Sequence, residues 1–341
     1  MRILLIRLGA LGDIVHAIPV AAALRRAFPE AQIDWLVGAR YRELLDLVPV
    51  LDERIVVQDR YGPSLLAAVV ELRRARYDVA LDLQGLIKSA AIARSSGAVR
   101  VVGFVTRYLR EPLARLCYTE MCDPGGEGLF DPRDTRHVVE FNLTMLKALG
   151  VENGPAKFPI THVESDVAGF VRTAAGGRYA LLNPGAAWPN KRWPPDRFAA
   201  VASGLESRCG LRSVVLWGPG ERDLGEEVAA RAKGAAIVSP PTSIRDLVAI
   251  ARGAAVMVSG DTGPMHIAAA VGTPVVGIYG PTRPERNGPW GPEDMVVSRA
   301  TTCECHHLRS CRRQTMCLLE IGADEVLAAA ELRLARERTR V

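Results

Sequence analysis

Hydrophobic residues in the first half of the chain form short runs, separated by longer stretches with helical periodicity. The runs cover residues 3–8, 33–37, 55–57, 79–83 and 99–104. Because most successive positions in these runs are apolar, we expect both faces of each strand to be buried, as in a parallel sheet covered by helices. Between the first two runs, Ile14, Ala17, Ile18, Ala21 and Ala22 follow the spacing of an amphipathic helix. Residues 65–76 and 111–118 show similar helical patterns.

The same alternation starts again after residues 150–161, a stretch rich in glycine and proline that we interpret as a linker. The second set of strand-like runs covers residues 179–183, 214–217, 235–238, 256–259 and 274–279. Two such series predict an α/β protein with two Rossmann-like, doubly wound domains that face each other across a cleft. We place the N-terminal domain at 1–155, the C-terminal domain at 156–322 and a final helix at 323–341. Loops at the carboxyl ends of the strands are therefore the candidate ligand sites.

Composition and charge narrow the choice of protein class. The 341 residues include 43 Lys and Arg against 38 Asp and Glu, an excess too small to identify an anionic partner. No apolar run is long enough to span a membrane, and Arg7 and Asp13 interrupt the hydrophobic N-terminus, which argues against a signal peptide. We therefore expect a cytoplasmic protein whose seven cysteines are thiols or metal ligands rather than disulfides. Basic and aromatic residues are not interleaved as in nucleic-acid-binding modules.

The loop after the first predicted strand is Gly9-Ala10-Leu11-Gly12-Asp13. It lacks the three glycines of a dinucleotide-binding fingerprint. Asp13 has two interpretations of about equal weight: it caps the following helix, or it is a general base at the floor of the cleft.

Two loops of the second half contain candidate anion-binding groups. In residues 183–194, Lys191 or Arg192 could neutralise a diphosphate, although an exposed basic loop is the alternative. In residues 259–266, Thr262 or Gly263 should begin a helix with Pro264 in its first turn. The N–H groups and dipole at that helix start would form an anion site; the alternative is an ordinary strand-to-helix turn.

The chain offers few metal ligands. No two aspartates lie two residues apart, as they do in the pair that holds a divalent cation in metal-dependent sugar transferases, so we expect no catalytic metal and no cofactor. Cys303, Cys305, Cys311 and Cys317 form a cluster in sequence whose spacing differs from the usual C-x2-C start of a zinc site. Partly buried thiols are the default interpretation, with a structural metal as the alternative.

Taken together, these motifs resemble glycosyltransferase family 9, the bacterial lipopolysaccharide heptosyltransferases. The resemblance covers nearly the whole chain, through ILLIRLGALGDIVHAIP, LDLQGLIKSA, RVVGF, NPGAAWPNKRWP, VVLWGPGE and VSGDTGPMHIAAAVGTPVVGIYGPT. LDLQGLIKSA and GFVTRYLREPLARLCY are most similar to the enzymes that add the first heptose of the inner core. The resemblance implies a GT-B fold, an ADP-heptose donor, inversion at the anomeric carbon, and a Kdo-lipid A or inner-core acceptor at the membrane surface. The enzyme would then be peripheral on the inner face of the inner membrane.

The resemblance also implies residue roles. Asp13 matches the general base, and Lys191 matches the cation on the donor phosphates. Asp261, Thr262, Gly263 and His266 match the donor-site motif, and Glu221 lies near the position that contacts the ribose. The basic patch expected after the third strand is reduced here to Arg60, so we expect Arg60, Lys88, Arg107 and Arg110 to share acceptor binding.

Other functions remain open from the sequence. They are a family member with another donor or acceptor, a GT-B sugar-nucleotide epimerase, a dinucleotide-dependent oxidoreductase, and a noncatalytic binding module.

Overall fold

The structure, a computed structural model, describes residues 1–58, 63–129, 131, 133–152, 154–306, 308–311 and 313–338. The chain forms two compact units, Met1–Thr161 and His162–Val341.

The first unit is built on a six-stranded parallel sheet. Its strands are β1 Arg2–Ile6, β2 Gln32–Gly38, β3 Glu53–Val57, β4 Val79–Asp82, β5 Arg100–Phe104 and β6 Glu120–Cys122, in the order β3-β2-β1-β4-β5-β6. Its α-helices are α1 Leu11–Ala27, α2 Arg42–Asp46, α3 Pro63–Ala75, α4 Ile87–Ser95 and α5 Val138–Leu143. Short 3₁₀ helices cover Ala39–Tyr41, Thr106–Tyr108, Pro112–Cys117 and Thr144–Leu149. The apolar run of β1 is fully buried, which explains why hydrophobic residues occupy successive positions there.

The second unit repeats this topology. Its strands are β7 Tyr179–Asn183, β8 Arg212–Val215, β9 Ala236–Val238, β10 Val256–Gly260, β11 Val275–Tyr279 and β12 Met295–Ser298, in the parallel order β12-β11-β10-β7-β8-β9. Its α-helices are α6 Asp166–Ala174, α7 Pro195–Cys209, α8 Arg222–Arg231, α9 Ile244–Gly253, α10 Gly263–Ala270, α11 Pro284–Asn287 and α12 Ala323–Arg338. Its 3₁₀ helices are Pro189–Lys191, Ala300–Thr302 and Cys317–Glu320.

Each sheet has the Rossmann strand order. In this order the first three strands extend the parallel sheet to one side and the next three extend it to the other side, so the order reverses at one point. That point lies between β1 and β4 in the first unit and between β7 and β10 in the second. Ligands of such sheets bind beyond the carboxyl ends of the two strands at the reversal. The loops after β1, β4, β7 and β10 are therefore the places where each unit can hold a substrate.

All ten predicted strands are present, with small shifts of their ends. Two short strands, β6 and β12, were not predicted. The helical pattern at 111–118 was wrong in type, because the structure has a 3₁₀ helix at Pro112–Cys117. Residues 150–161 have no helix or strand among their described positions, in agreement with a connecting segment.

The C-terminal helix α12 packs against α7 and the β11 and β12 strands of the second unit. Arg333 is buried in this contact, and its Nε lies 3.1 Å from Asp294 Oδ1. The unit boundary lies between Thr161 and His162, and α12 belongs to the second unit. Of the helices in the described part of the chain, none is both long and apolar enough to cross a bilayer.

Candidate functional site

Asp13 lies where β1 leads into α1. Its Oδ2 accepts a hydrogen bond from the Ala10 N–H at 3.2 Å, so it does help to cap the helix start. The same oxygen is 2.7 Å from Arg7 Nη2. The Asp13 side chain nevertheless keeps 42% of its surface exposed, so a substrate can reach it. Capping and a role as base are thus compatible at this position.

Several neighbouring groups shift the pKa of the Asp13 carboxyl, Arg7 foremost among those that lower it. Burial raises the pKa of the Asp13 carboxyl, but the charge and hydrogen bond of Arg7, the Ala10 N–H and the charge of Arg110 outweigh it. The net result is a pKa below the ordinary value. Asp13 is therefore a carboxylate at neutral pH, the form in which it can accept a proton.

Arg7 was missed as a functional residue by the sequence analysis, which used it only as an interruption of the apolar run. Its Nη1 donates to the carbonyl of Leu83 at the end of β4. The Leu8 N–H donates to Gln84 Oε1 at 2.7 Å, so the loops after β1 and β4 are tied together. The available signal was a charged residue that ends a buried strand at the reversal point of the sheet.

Asp82 fixes the second of these loops. It is fully buried and accepts hydrogen bonds from the Gln84 N–H at 2.9 Å, Ser89 Oγ at 2.9 Å and Tyr118 Oη at 2.8 Å. These partners stabilise the turn that leads from β4 to α4.

The cations that were predicted to bind the acceptor differ in their position in the fold and in their hydrogen-bond partners. Lys88 lies in the first turn of α4, at the carboxyl edge of the sheet, and Arg110 is exposed and acts electrostatically on Asp13. The Arg107 guanidinium, by contrast, donates to the Asp123 carboxylate and to the Gly126 carbonyl. Arg60 lies outside the described residues.

In the second unit, Lys191, Asp261 and His266 form one chain of contacts. Lys191 Nζ lies 2.6 Å from Asp261 Oδ2, and His266 Nε2 lies 3.1 Å from Asp261 Oδ1. The side chains are 15%, 5% and 5% exposed, respectively. The Lys191 ammonium also lies 4.7 Å from the centre of the Trp188 ring. The adjacency of β7 and β10 brings these residues together, although Lys191 and Asp261 are 70 positions apart.

Asp261 keeps its negative charge in spite of its burial. Burial raises the pKa of its carboxyl, but the hydrogen bonds from His266 and Lys191 and the positive charge of Lys191 hold the pKa well below the usual range. The ionised carboxylate in turn fixes the Lys191 ammonium at the carboxyl edge of the sheet.

Helix α10 starts beside this chain of contacts. Thr262 is its N-cap residue, Gly263 is its first residue and Pro264 is in its first turn, as predicted. The Thr262 side chain makes no cap hydrogen bond; its Oγ1 contacts Asn183 Nδ2 and Ser259 Oγ, each at 3.0 Å. The Thr262 side chain therefore leaves the N–H groups of Gly263 and Met265 open to an anion, whereas Pro264 has no N–H and the His266 N–H donates to the Thr262 carbonyl. Asn183 and Ser259 fix Thr262, and neither received a role from the sequence.

Glu221 packs between the loops after β7 and β8. Its Oε1 is 3.3 Å from Arg192 Nη2, and its Oε2 accepts from the Gly218 N–H at 3.3 Å. A Cβ at position 185 would lie 2.1 Å from Oε2, so this close approach requires Gly185. Glu221 lies at the carboxyl edge of the sheet, and its contact with a ribose stays a prediction.

The cysteine cluster packs beside the loop that contains Lys191. Cys303, Cys305 and Cys317 are buried, Cys311 packs against them, and Cys303 Sγ lies 3.3 Å from Cys305 Sγ. Burial raises the pKa of the Cys303 and Cys305 thiols. Among the described residues, no three His, Cys, Asp or Glu side chains are arranged to hold a metal ion.

Asn190 joins this cluster to the Lys191 loop. It is buried, and its Nδ2 donates to the Leu308 carbonyl at 2.9 Å and lies 3.9 Å from Cys305 Sγ. The cysteine segment therefore supports the residue that precedes Lys191.

The two Rossmann-like units form the GT-B fold, which the chain shares with a solved glycosyltransferase structure. The chain belongs to glycosyltransferase family 9 (heptosyltransferase), whose model matches residues 66–316. This membership confirms the predicted family and favours transfer over the epimerase, oxidoreductase and binding-module alternatives.

Individual relatives match along most of their length. Lipopolysaccharide heptosyltransferase 1 of Pseudomonas aeruginosa is 27% identical over 99% of both chains. Lipopolysaccharide heptosyltransferase 3 of Escherichia coli K12 is 26% identical over 94% of both. The solved structure of E. coli heptosyltransferase WaaC with ADP superposes with a TM-score of 0.77 at 26% identity, covering 98% of this chain and 100% of that one. The predicted fold class is thereby confirmed.

Proposed function

We propose that this protein transfers heptose from ADP-heptose to a Kdo-lipid A or inner-core lipopolysaccharide acceptor, with inversion and without a metal ion. The observation that supports it most is the Lys191–Asp261–His266 contact chain beside the open start of α10. The relatives are named lipopolysaccharide heptosyltransferases, and the E. coli structure was solved with ADP.

The second unit would hold the donor. When the bond between the anomeric carbon and the diphosphate breaks, negative charge develops on the departing ADP. The Lys191 ammonium and the N–H groups at the start of α10 are positioned to stabilise that charge before the reaction begins. These groups take the place of the divalent cation that an aspartate pair would hold in other transferases.

The first unit would activate the acceptor. As the acceptor oxygen forms its bond to the anomeric carbon, its proton passes to the Asp13 carboxylate. Attack from the face opposite the leaving ADP inverts the anomeric configuration in one displacement, with no covalent enzyme intermediate. The proposal requires both units to contact the same pair of substrates, and this pairing stays a prediction.

Incubation with ADP-heptose and a truncated core acceptor tests the whole proposal. We expect the acceptor to gain the mass of one heptose residue, with inverted anomeric configuration by NMR. Turnover with excess EDTA should stay within about twofold, because Lys191 and α10 supply the positive charge. Parallel reactions with other nucleotide sugars serve as controls. Preference for another nucleotide sugar would contradict ADP-heptose as the donor. Retained anomeric configuration would contradict inversion, and loss of activity in EDTA would contradict transfer without a metal ion.

Replacement of Arg7 by glutamine should change the pH dependence of transfer. Arg7 lowers the pKa of the Asp13 carboxyl, whereas burial raises it, so the variant should have a higher pKa at Asp13. A base works in its deprotonated form, and the acid limb of kcat/KM should therefore move to higher pH. The measurement is a pH–rate profile from about pH 4 to 9. Arg42→Gln is the matched control, since Arg42 forms an exposed pair with Asp46; an unchanged acid limb in Arg7→Gln would argue against Asp13 as the base.

A further inference from the structure

The 3₁₀ helix Pro112–Cys117 presents two leucines to solvent. Leu113 is 63% exposed and Leu116 is 68% exposed, whereas Ala114 is fully buried. A 3₁₀ helix has three residues per turn, so Leu113 and Leu116 lie one above the other on the same face. A single exposed leucine is ordinary on a protein surface, but a stacked pair is a local apolar stripe.

A third apolar side chain extends this stripe. Helix α4 packs against the 3₁₀ helix, and its first residue, Ile87, is 44% exposed. The Ile87 N–H donates to Glu111 Oε2 at 2.6 Å, which joins the start of α4 to the residue that precedes the 3₁₀ helix. The two elements therefore present one surface.

Basic side chains flank the apolar stripe. Arg110 and Arg115 are exposed, and Lys88 follows Ile87 in the first turn of α4. One acidic residue beside the stripe, Glu111, is exposed and accepts a hydrogen bond from the Ile87 N–H, so the cations of this surface outnumber it. Exposed aliphatic side chains bordered by arginine and lysine have the chemistry that suits an anionic lipid surface, with the alkyl groups among the headgroups and the cations on the phosphates.

The position of the surface fits this partner. The 3₁₀ helix begins near the carboxyl edge of the sheet, where Glu111 meets the start of α4, and leads back toward the start of the parallel strand β6; the charge of Arg110, two residues before the helix, acts on Asp13. A lipid-anchored acceptor would have to meet the base beside the membrane. We propose that Ile87, Lys88, Arg110, Leu113, Arg115 and Leu116 form a lipid-facing surface that docks on anionic phospholipid. Its orientation toward the acceptor rests on the proposed function, but lipid binding itself does not.

Vesicle co-sedimentation of the full chain tests this surface. With vesicles of phosphatidylcholine and about 30% phosphatidylglycerol, the wild-type protein should bind, with an affinity that falls as salt rises. The double variant Leu113→Gln/Leu116→Gln should bind at least about tenfold more weakly, and Arg115→Gln about fivefold. Val99→Gln is the matched control: Val99 is 75% exposed but belongs neither to the 3₁₀ helix nor to α4, so binding of this variant should be unchanged.

The controls separate lipid docking from misfolding and from self-association. Each variant should keep its wild-type melting temperature, and the leucine variant should keep its turnover on a deacylated, water-soluble acceptor. Absence of wild-type binding, equal binding to pure phosphatidylcholine, or equal losses in Val99→Gln would overturn the proposal. A dimer that the leucine variant dissociates, without vesicle binding, would instead assign the surface to a second copy of the chain. These vesicles contain neither donor nor acceptor. The vesicle assay therefore tests the lipid-facing surface independently of the transfer assay, which tests the proposed function.

Discussion

Replacement of Asp13 by asparagine is expected to lower kcat by about 10²- to 10⁴-fold, the usual contribution of a positioned general base. The amide cannot accept the proton that the acceptor hydroxyl loses during attack. Binding of ADP should stay within a few-fold of wild type, because the proposed donor groups Lys191 and Asp261 belong to the other unit. Turnover at saturating substrates and calorimetric titration of ADP provide the two measurements.

Asparagine is the informative replacement because it separates chemistry from folding. Its side-chain oxygen can still accept the Ala10 N–H, so the start of α1 should persist. The lost ion pair with Arg7 is partly exposed on the Asp13 side, and its effect on the free energy of unfolding should be about 1 kcal/mol or less. Asp46→Asn removes another partly exposed, paired carboxylate of the same unit and should leave turnover unchanged. Near-normal turnover of Asp13→Asn with intact ADP binding would show that Asp13 is not the general base and only helps to cap α1.

Most of the strands that the sequence predicted are buried on both faces, although the partly exposed edge strands β3 and β9 were predicted too. Residues Val256–Gly260, for example, are all buried, and such strands appear as continuous apolar runs. The two strands that were missed lie at sheet edges and are short. In β6 the residue Met121 is 49% exposed, and in β12 the residue Val296 is 38% exposed. The apolar run of β6 has only two residues, which is too short for the pattern on which the prediction depended; the run of three in β12 is as long as the predicted run at 55–57 and was overlooked.

The same reasoning could predict only part of the candidate functional site. Local motifs pointed to Asp13, to the start of α10 at Thr262 and to Lys191 or Arg192, because each follows a strand and has a recognisable turn chemistry; only the family resemblance selected Lys191 over Arg192. The contacts between them depend on strand order, which the sequence does not state directly. Lys191 meets Asp261 only because β7 pairs with β10.

Residue type alone was a poor guide to the function of arginines. Arg192 and Arg107 are both near loops at strand ends, but each is engaged by a carboxylate of its own unit, Glu221 and Asp123, respectively. Arg7 was passed over, yet its charge and hydrogen bond lower the pKa of the Asp13 carboxyl. Such assignments require the positions of partners that are distant in sequence or on a neighbouring strand.

Replacement of Lys191 by methionine is expected to lower kcat by about 10²- to 10³-fold, the effect of removing one preorganised group from a developing negative charge. Methionine keeps the length of the side chain but not its charge, so the departing ADP would lose a partner that is only 15% exposed to solvent in the free protein. Arg192→Met is the matched control in the same loop. Since Arg192 donates to the Ala186 carbonyl at 2.8 Å and pairs with Glu221, its removal should lower kcat less than about tenfold.

A loss of activity in Lys191→Met has a second possible cause, because the change leaves Asp261 buried and, among the described residues, paired only with His266. Breaking a buried ion pair in this way typically costs about 3 to 5 kcal/mol of stability, somewhat less where one partner is partly exposed. The double variant Lys191→Met/Asp261→Asn removes the unbalanced charge, so its melting temperature should rise above that of the single variant. Its kcat should stay low, since the cation is still missing. Recovery of kcat together with stability, or an equal loss in Arg192→Met, would show that Lys191 supports the loop rather than the leaving group.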